Sequence, residues 1–348
     1  MESGLISYYG YFTPFGGYGI ANFNWVKHLM RKGIWVYPHG KFMPKPGTPE
    51  WEILNEEERN IANIPFVKQQ IGIIESTPYD FDIIDTEIKI CNTMGETDRL
   101  GKDWVNKINR MDYVLVPNSF QRNMFIESGV KKPVFVIPHG TETEKFPYYE
   151  RPQRKDFTFL IAGYLNDRKG VFDVIRAFVS EFEENEPVKL ILKSSNPSFG
   201  YYSNFTDSRI TTINRLIDPQ GLNELYQIAD CFVFPSKAEG IGQPPREAMA
   251  TGLPVIVGNY SGLEEIALPE ISYPLQVDHL EEGINPQNIE QPGNWAIYDI
   301  QELMYQMRYV YEHQQEARQK GKVAAKWIRD NFSWESAADE MIAFLNTI

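Results

Sequence analysis

The feature that most restricts the fold of this 348-residue chain is the order of elements expected over residues 231–257. Cys231–Phe234 and Leu253–Val257 are continuous apolar runs, which are typical of buried strands. A glycine- and proline-rich turn follows the first run, and its two prolines suit the first turn of a helix, where no N–H is needed. We therefore expect a short helix at Arg246–Thr251. Strand, helix and strand in this order indicate a parallel sheet covered by helices.

Two glutamates, Glu239 and Glu247, flank this turn. Glu239 lies in the loop, and we expect Glu247 in the first helical turn, near N–H groups that also attract phosphate. Gly240 and Gly242 let the backbone bend and let a ligand approach closely. A single glutamate at a helix start more often only caps the helix, and a loop glutamate is usually solvated. The pair, with two glycines and a strand on each side, favours a ligand site for a sugar, a ribose and a diphosphate.

The alternation of strands and helices continues along the whole chain. Further strands are expected at Leu5–Tyr9, Ile34–Pro38, Tyr113–Val116, Val134–Ile137, Phe157–Ala162 and Val188–Leu192. The polar segment Pro147–Asp156 contains two prolines, so we place a domain boundary there. The sequence predicts an α/β protein with two Rossmann-like, doubly wound domains, residues 1–150 and 151–330, and a final helix in residues 331–348. Ligands of such domains bind outside the carboxyl ends of the strands, here facing a shared cleft.

Composition excludes several other classes of protein. With 42% hydrophobic and 23% charged residues the chain is globular, and its net charge of −13 argues against broad nucleic-acid binding. Cys91 and Cys231 lie in apolar surroundings and predict buried free thiols in a reducing compartment, while the histidines lack the spacing of metal ligands. No apolar run approaches the roughly 20 residues of a membrane span, and the N-terminus lacks a signal-peptide pattern. We therefore expect a cytoplasmic protein.

Two short segments are candidate phosphate sites. Gly16-Gly17-Tyr18-Gly19 follows the first strand and precedes a helix, so its N–H groups could hold a phosphate. A dinucleotide fingerprint is the alternative, although Asn22 occupies the place of its third glycine. The basic pair Arg168 and Lys169 follows the strand that begins at Phe157, where anions bind in such folds. That pair is either a diphosphate clamp or a solvated turn.

A third segment carries two carboxylates. Glu96 and Asp98 could orient an acceptor hydroxyl or transfer a proton, or they could cap a helix expected at Lys102–Asn109. His139, near the expected domain junction, either faces the cleft or makes a structural hydrogen bond.

Several of these segments resemble, in order, those of family-4 retaining glycosyltransferases with the GT-B fold. PSKAEGIGQPPREAMATGLPVIV (Pro235–Val257) resembles the E-x7-E motif of that family. Similar segments are the glycine loop at 16–19, Glu96–Phe120, the interdomain segment Val136–Phe146, the turn Asp167–Gly170, and Phe332–Glu335 with the closing helix that returns to the N-terminal domain. Together these segments extend over nearly the whole chain.

The resemblance implies transfer of a sugar from a UDP- or GDP-linked donor to an acceptor hydroxyl with retention at the anomeric carbon. Glu239 would bind hydroxyls of the donor sugar, and Glu247 would bind the ribose hydroxyls. The remaining implied donor-binding residues are Gly17, Arg168, Lys169, Ile217 near the base, Gly240, Ile241, Gly242 and Gln243. No metal or other cofactor is expected if the two cations stabilise the leaving diphosphate.

The catalytic candidates are Glu239, beside the donor sugar, and three residues on the acceptor side, Glu96, Asp98 and His139. The chain departs from the family at two points. Tyr164 stands where many members have arginine, and no counterpart of the family's acceptor-site histidine is found, so Glu96 or Asp98 would take that role. The acceptor would be a glycan, a lipid or a small molecule, and peripheral membrane contact is compatible with it.

Three other functions are compatible with parts of this pattern. An epimerase or a phosphorylase could use the same two-domain fold, and a non-catalytic protein could bind nucleotide sugars without turnover. A NAD-dependent dehydrogenase is disfavoured because Asn22 breaks the fingerprint.

Overall fold

The computed structural model describes residues 4–202, 207–283 and 292–348. These residues form two compact units. Unit 1 contains the described residues up to Gly140 together with Pro292 and Phe332–Ile348, and unit 2 contains those from Thr141 to Gly283 and Gly293–Asn331.

Unit 1 is built on a parallel sheet. Its strands are β1 (Leu5–Tyr11), β2 (Trp35–Phe42), β3 (Ile71–Glu75), β4 (Ile88–Asn92), β5 (Tyr113–Val116) and β6 (Val134–Val136). Its first helices are α1 (Gly17–Arg31), α2 (Pro49–Ile53), α3 (Glu56–Ala62), α4 (Lys102–Ile108) and α5 (Ser119–Glu127). The described strands pair in parallel in the order β2-β1-β3-β4-β5-β6. Strand β2 lies on one side of β1, and β3 to β6 lie on the other side. The chain therefore winds away from β1 in two directions, which makes the unit doubly wound.

Unit 2 repeats this plan. Its strands are β7 (Phe157–Gly163), β8 (Val188–Ser194), β9 (Ile210–Asn214), β10 (Cys231–Phe234), β11 (Val255–Gly258), β12 (Tyr273–Leu275), β13 (Val277–Glu282) and β14 (Asn294–Tyr298). Its helices are α6 (Val171–Glu181), α7 (Pro219–Ile228), α8 (Gln243–Ala250), α9 (Ile300–Glu312) and α10 (Gln314–Asn331). The parallel sheet has the order β12-β11-β10-β7-β8-β9, and β13 and β14 form a separate antiparallel hairpin. The expected class, two doubly wound α/β units, is confirmed.

The chain enters unit 2 between Gly140 and Thr141, ahead of the polar segment at which the sequence suggested a boundary. The residues from Thr141 to the polar segment already pack on unit 2. The rings of Phe146 and Tyr226 are 5.6 Å apart, and the Tyr149 N–H donates to the Thr251 carbonyl at 3.1 Å.

The last helix, α11 (Trp334–Leu345), belongs to unit 1. Trp334, Met341 and Leu345 on its apolar side lie in the same core cluster as Ile6 and Trp25. The Trp334 and Trp25 rings meet edge to face with centroids 5.1 Å apart, a geometry that aromatic pairs favour. Residues far apart in sequence therefore complete one core.

Candidate functional site

The candidate site in unit 2 lies where the sheet order reverses. β7 and β10 are parallel neighbours, although they are not consecutive in the chain. The turn Asp167–Lys169 follows β7, and the loop from Pro235 to Gly242 follows β10, so both segments leave the carboxyl ends of adjacent strands. Ligands of open α/β sheets bind at such a reversal.

Glu239 is a buried carboxylate surrounded by two cations and a hydroxyl. Its Oε1 accepts from Lys169 Nζ at 2.5 Å, from Ser236 Oγ at 2.5 Å and from Arg168 Nη1 at 3.2 Å. Burial by itself raises the pKa of Glu239, but the charges of Lys169 and Arg168 outweigh that effect and hold the pKa below its ordinary value. Glu239 is therefore ionised at neutral pH, and it is not a solvated loop residue.

The basic turn is packed against the glutamate loop. Arg168 and Lys169 are each 8% exposed, which excludes a solvated turn. The Arg168 carbonyl accepts from the Lys237 N–H at 2.8 Å, and its guanidinium donates to the Ala238 carbonyl. Gly170, with φ of 68°, ends the turn so close to Pro235 that a Cβ would collide with the Pro235 carbonyl oxygen. The turn and the loop are thus hydrogen-bonded and closely packed against each other.

A second turn holds Glu239 from its backbone. The Glu239 N–H donates to Ser261 Oγ at 2.8 Å, and its carbonyl accepts from the Gly262 N–H at 3.0 Å. Among the described non-glycine residues, Ser261 is the one with positive φ, at 58°. A left-handed serine is uncommon, and such backbone is concentrated at functional sites. The turn with this strained residue therefore holds both peptide groups that flank the Cα of Glu239.

Helix α8 begins earlier than expected. Gly242, with φ of 80°, precedes its first residue, Gln243, and both prolines lie inside the first turn. Glu247 consequently lies in the second turn, so the prediction of a first-turn glutamate is wrong, and Glu247 does not cap the helix. Pro244 and Pro245 have no N–H group, so the backbone donors near this helix start come from Ile241, Gly242 and Gln243. Ile241 is 6% exposed.

Glu247 is oriented by the neighbouring helix α7. The Tyr226 hydroxyl donates to Glu247 Oε2 at 3.0 Å. Burial raises the pKa of Glu247 to about 7, and the charge of Glu142 adds to the rise, while those of Lys145 and Lys193 oppose it. Glu247 is therefore a carboxyl group that gains or loses its proton near neutral pH.

Three further residues lie in this site although none was expected there from the sequence, namely Tyr226, Ser236 and Lys193. Lys193 is 6% exposed and lies at the end of β8. Burial lowers its pKa, and the charge of Glu247 opposes that change. A lysine near the carboxyl end of an apolar strand is a sequence signal that could have pointed to this site. Ile217 is half-buried and precedes Asp218, which caps α7 by accepting the Gly221 N–H at 2.8 Å.

Asn22, in the helix that follows the glycine loop of unit 1, is bonded to the ends of β1 and β3. Gly17 is the first residue of α1, after Gly16 with φ of 79°. The fully buried Asn22 donates to the carbonyls of Tyr11 at 2.8 Å and Glu75 at 3.3 Å. The residue that breaks the dinucleotide fingerprint therefore has a structural role that a glycine could not fill.

Glu96 and Asp98 are half-buried in the segment between β4 and α4. The residue that precedes α4 is Gly101, so the alternative that Glu96 or Asp98 caps this helix is wrong. Glu96 lies near Tyr18, whose hydroxyl pairs with Thr93 Oγ1 at 3.4 Å. Burial, with smaller contributions from Glu75 and Glu96, raises the pKa of Tyr18.

His139 is enclosed in unit 1, with 1% exposure. Its Nε2 lies 3.5 Å from Glu75 Oε1 and 3.5 Å from Asn92 Nδ2, and its ring contacts Trp334. Glu75 is fully buried and accepts the Tyr8 hydroxyl at 2.7 Å. Burial raises the pKa of Glu75 to about 8, although the hydrogen bonds that Tyr8 and Asn92 donate to it lower the pKa. These contacts favour the structural hydrogen bond over a cleft-facing histidine.

The described part of the chain shows neither a metal cluster nor a membrane-spanning helix. In residues 4–202, 207–283 and 292–348, no cluster of three or more His, Cys, Asp or Glu side chains could hold a metal ion. Over the same ranges, no helix has both the length and the apolar character to cross a membrane. Cys91 and Cys231 are buried and free, as predicted.

Comparison with known proteins identifies part of the chain. Residues 143–285 match the family described as glycosyl transferases group 1. This segment is about two-fifths of the chain and contains the unit 2 candidates from Arg168 to Glu247. The unit 1 candidates lie outside it. The assignment of the chain to family 4 is narrower than this match, and it stays a prediction.

Individual relatives agree with this match. An uncharacterized glycosyltransferase of Methanocaldococcus jannaschii is 30% identical over 135 residues, which are 36% of this chain and 34% of that protein. The chain thus spans about a third of the length of that protein, and it spans 41% and 38% of the length of two further relatives.

Two solved structures have the same fold. Sucrose-phosphate synthase from Thermosynechococcus elongatus aligns with a TM-score of 0.71 and 18% identity, over 99% of this chain and 98% of that one. Anabaena HepE in complex with UDP-glucose aligns with a TM-score of 0.69 and 14% identity, over 99% of this chain and 100% of that one.

Proposed function

We propose that this chain is a retaining glycosyltransferase, which moves a sugar from a UDP- or GDP-linked donor to a hydroxyl of a glycan, glycolipid or small molecule. The observation that carries this proposal is the buried cluster of Glu239, Lys169 and Arg168 at the carboxyl ends of β7 and β10. This cluster lies inside the segment that matches group 1 glycosyl transferases. The UDP-glucose bound to HepE, which shares the fold, supports a nucleotide-sugar donor.

In the proposed complex the two glutamates bind different parts of the donor. The ionised Glu239 accepts hydrogen bonds from sugar hydroxyls, and Glu247 accepts them from the ribose. Ile217 lies near the base through its backbone. Gly17 is proposed as a further donor-binding residue.

The diphosphate is assigned to the cations and the backbone between the glutamates. A guanidinium has five N–H donors and an ammonium three, which is enough for a carboxylate and a phosphate together. The N–H groups of Ile241, Gly242 and Gln243 add neutral donors beside Gly240. When the bond between the anomeric carbon and the phosphate oxygen breaks, the leaving diphosphate gains negative charge, which these donors stabilise. We therefore propose that transfer needs no metal.

On the acceptor side, Glu96 and Asp98 are the proposed groups that orient or deprotonate the hydroxyl. Both are partly accessible, as such a role requires. The new bond forms on the face that the diphosphate leaves, which gives retention.

The proposal is tested by thermal-shift measurements with UDP, GDP and their sugar conjugates, followed by acceptor-dependent release of the free diphosphate. A ligand that binds only the folded chain raises the melting temperature. We expect a shift for one nucleotide family, transfer that EDTA does not slow, and a product that keeps the anomeric configuration of the donor. Binding without release would indicate a non-catalytic binder, and a requirement for inorganic phosphate would indicate a phosphorylase. Either result would overturn the proposal.

A further inference from the structure

The β13–β14 hairpin touches the loop that carries Glu239. The Tyr298 hydroxyl, at the end of β14, donates to the Ser236 carbonyl at 3.0 Å. The Ala296 N–H in the same strand donates to the Lys237 carbonyl at 2.9 Å. These carbonyls come three and two residues before Glu239 in the chain. The hairpin is therefore bonded to the backbone that leads directly to the carboxylate.

Tyr298 is packed as well as hydrogen-bonded. Gly258, the last residue of β11, lies so close that an added Cβ would collide with the Tyr298 hydroxyl and ring. Burial is the main cause that raises the pKa of Tyr298, so its hydroxyl stays neutral and remains a donor. The side chain consequently has little freedom to leave the Ser236 carbonyl.

Ser236 connects the hairpin to the carboxylate. Its carbonyl accepts from Tyr298, while its Oγ donates to Glu239 Oε1 at 2.5 Å. Glu247 takes its hydrogen bond from Tyr226 on α7, which is a different element. The two glutamates are thus oriented by separate parts of unit 2.

We propose that Tyr298 is a positioning residue, which sets the place of the Glu239 carboxylate through Ser236 and so governs recognition of the donor sugar more than of the nucleotide. This inference rests on the proposed function, because it assigns the sugar to Glu239 and the ribose to Glu247. The described strands β13 and β14 thus become a brace for the sugar-binding loop, which acts through Tyr298.

The test compares Tyr298→Phe with the matched control Tyr305→Phe in the full chain. Both changes remove only a hydroxyl, and Tyr305 is 61% exposed on α9. Hydrogen–deuterium exchange is measured over residues 236–241. The N–H groups of Lys237 and Glu239 are protected there by bonds of 2.8 Å to the Arg168 carbonyl and to Ser261 Oγ. Affinities are measured for UDP, GDP, UDP-glucose and GDP-mannose.

We expect exchange over 236–241 to be at least about threefold faster in Tyr298→Phe and unchanged in Tyr305→Phe. For the nucleotide that binds, affinity for the sugar conjugate should fall about threefold to tenfold, with less than about a twofold change for the free diphosphate. Unchanged exchange, or equal losses for both ligands, would overturn the positioning role. If the wild type binds none of the four probes, the proposed function fails, and the exchange comparison still decides whether Tyr298 holds the loop.

Discussion

At the scale of single residues, Glu239 shows how a buried charge is tolerated. Its carboxylate is balanced by Lys169 and Arg168 on one turn, with Ser236 as a third donor. Removing one member of such a group leaves the others buried without compensation, which is costly. The cluster therefore supports the fold as well as the proposed chemistry, and a test of function must keep its hydrogen bonds.

We predict that Glu239→Gln lowers the transfer rate at least about a hundredfold, while the far-ultraviolet circular dichroism spectrum stays that of the wild type. The amide can still accept from Ser236, but it carries no charge to orient Lys169 and Arg168 or to bind sugar hydroxyls. Asp167→Asn is the control, because this neighbouring carboxylate is 61% exposed at its side chain. A rate for Glu239→Gln within about threefold of the wild type would contradict the site assignment.

Glu247 predicts a pH-dependent affinity for the free nucleoside diphosphate. Only the ionised carboxylate accepts from both ribose hydroxyls, and burial raises the pKa of Glu247 to about 7. Affinity should therefore rise between pH 6 and pH 8, by up to about tenfold. Isothermal titration calorimetry of wild type and Glu247→Gln checks this. The variant should bind more weakly at pH 8 and lose this component of the pH dependence, and an identical profile would exclude a ribose role.

Glu75 predicts that the stability of the chain depends on pH. Burial raises the pKa of Glu75 to about 8, so the folded state holds this proton above the pH at which the unfolded chain releases it. The contribution to the free energy of unfolding is full below about pH 4, and it falls as the pH rises through about 8. Glu75→Gln imitates the neutral acid and should be more stable than the wild type at pH 8, by on the order of 1–4 kcal/mol. Denaturant titrations at pH 5 and pH 8 measure the difference.

Glu87→Gln is the control for that comparison, because Glu87 is an exposed carboxylate in the same unit. An equal pH dependence in wild type and Glu75→Gln would show that Glu75 is already ionised in the folded chain.

At the scale of elements, the sequence predicts several strands and helices with a local apolar pattern, but the buried strands β3 and β4 were not among those expected. Tyr113–Val116 and Cys231–Phe234 have the bounds expected from their apolar runs, and the final helix, Trp334–Leu345, lies within the segment 331–348 where it was expected. The hairpin was missed because β13 is mostly exposed and acidic, so nothing in its sequence marks a buried strand. Element ends were less accurate, as Glu247 shows, because prolines can enter the first turn of a helix and move its start.

Some residues of the candidate site could likewise be predicted from local sequence patterns, and others could not. Glu239, Lys169 and Arg168 were found because each stands in a recognisable turn, and the structure brings them into contact. Glu75 and Tyr298 could not be found, because their partners come from other strands or loops, and single-sequence patterns do not show such pairs.

Helix α11 predicts a difference between two tryptophans of unit 1. Trp334 is 3% exposed and packs on Trp25, whereas Trp35 is 53% exposed. Trp334→Ala should lower the free energy of unfolding by about 3–5 kcal/mol, since it leaves a cavity in the core. Trp35→Ala should cost less than about 1 kcal/mol. Chemical denaturation followed by circular dichroism measures both, and equal losses would mean that α11 does not complete the core.

At the scale of the whole molecule, unit 1 is discontinuous in sequence, since residues 332–348 return to it. We predict that a chain ending at Asn331 loses protection from hydrogen exchange in β1 and α1, because α11 no longer covers Trp25. Strands β7 and β10 should keep their protection, as their core belongs to unit 2. Uniform loss of protection in both sheets would show that the units unfold as one.

The place where unit 1 is interrupted has a further consequence. Gly140, its last residue before the interruption, lies against Trp334, so closely that a Cβ would collide with the tryptophan backbone. The exit and the re-entry of the chain are therefore adjacent in unit 1. In architectural terms unit 2 is a guest module inserted into a host, and domain insertion is tolerated where the ends of the insert are close. A few linking residues between Gly140 and Phe332 could close the host without its guest, and the same junction could accept a different one.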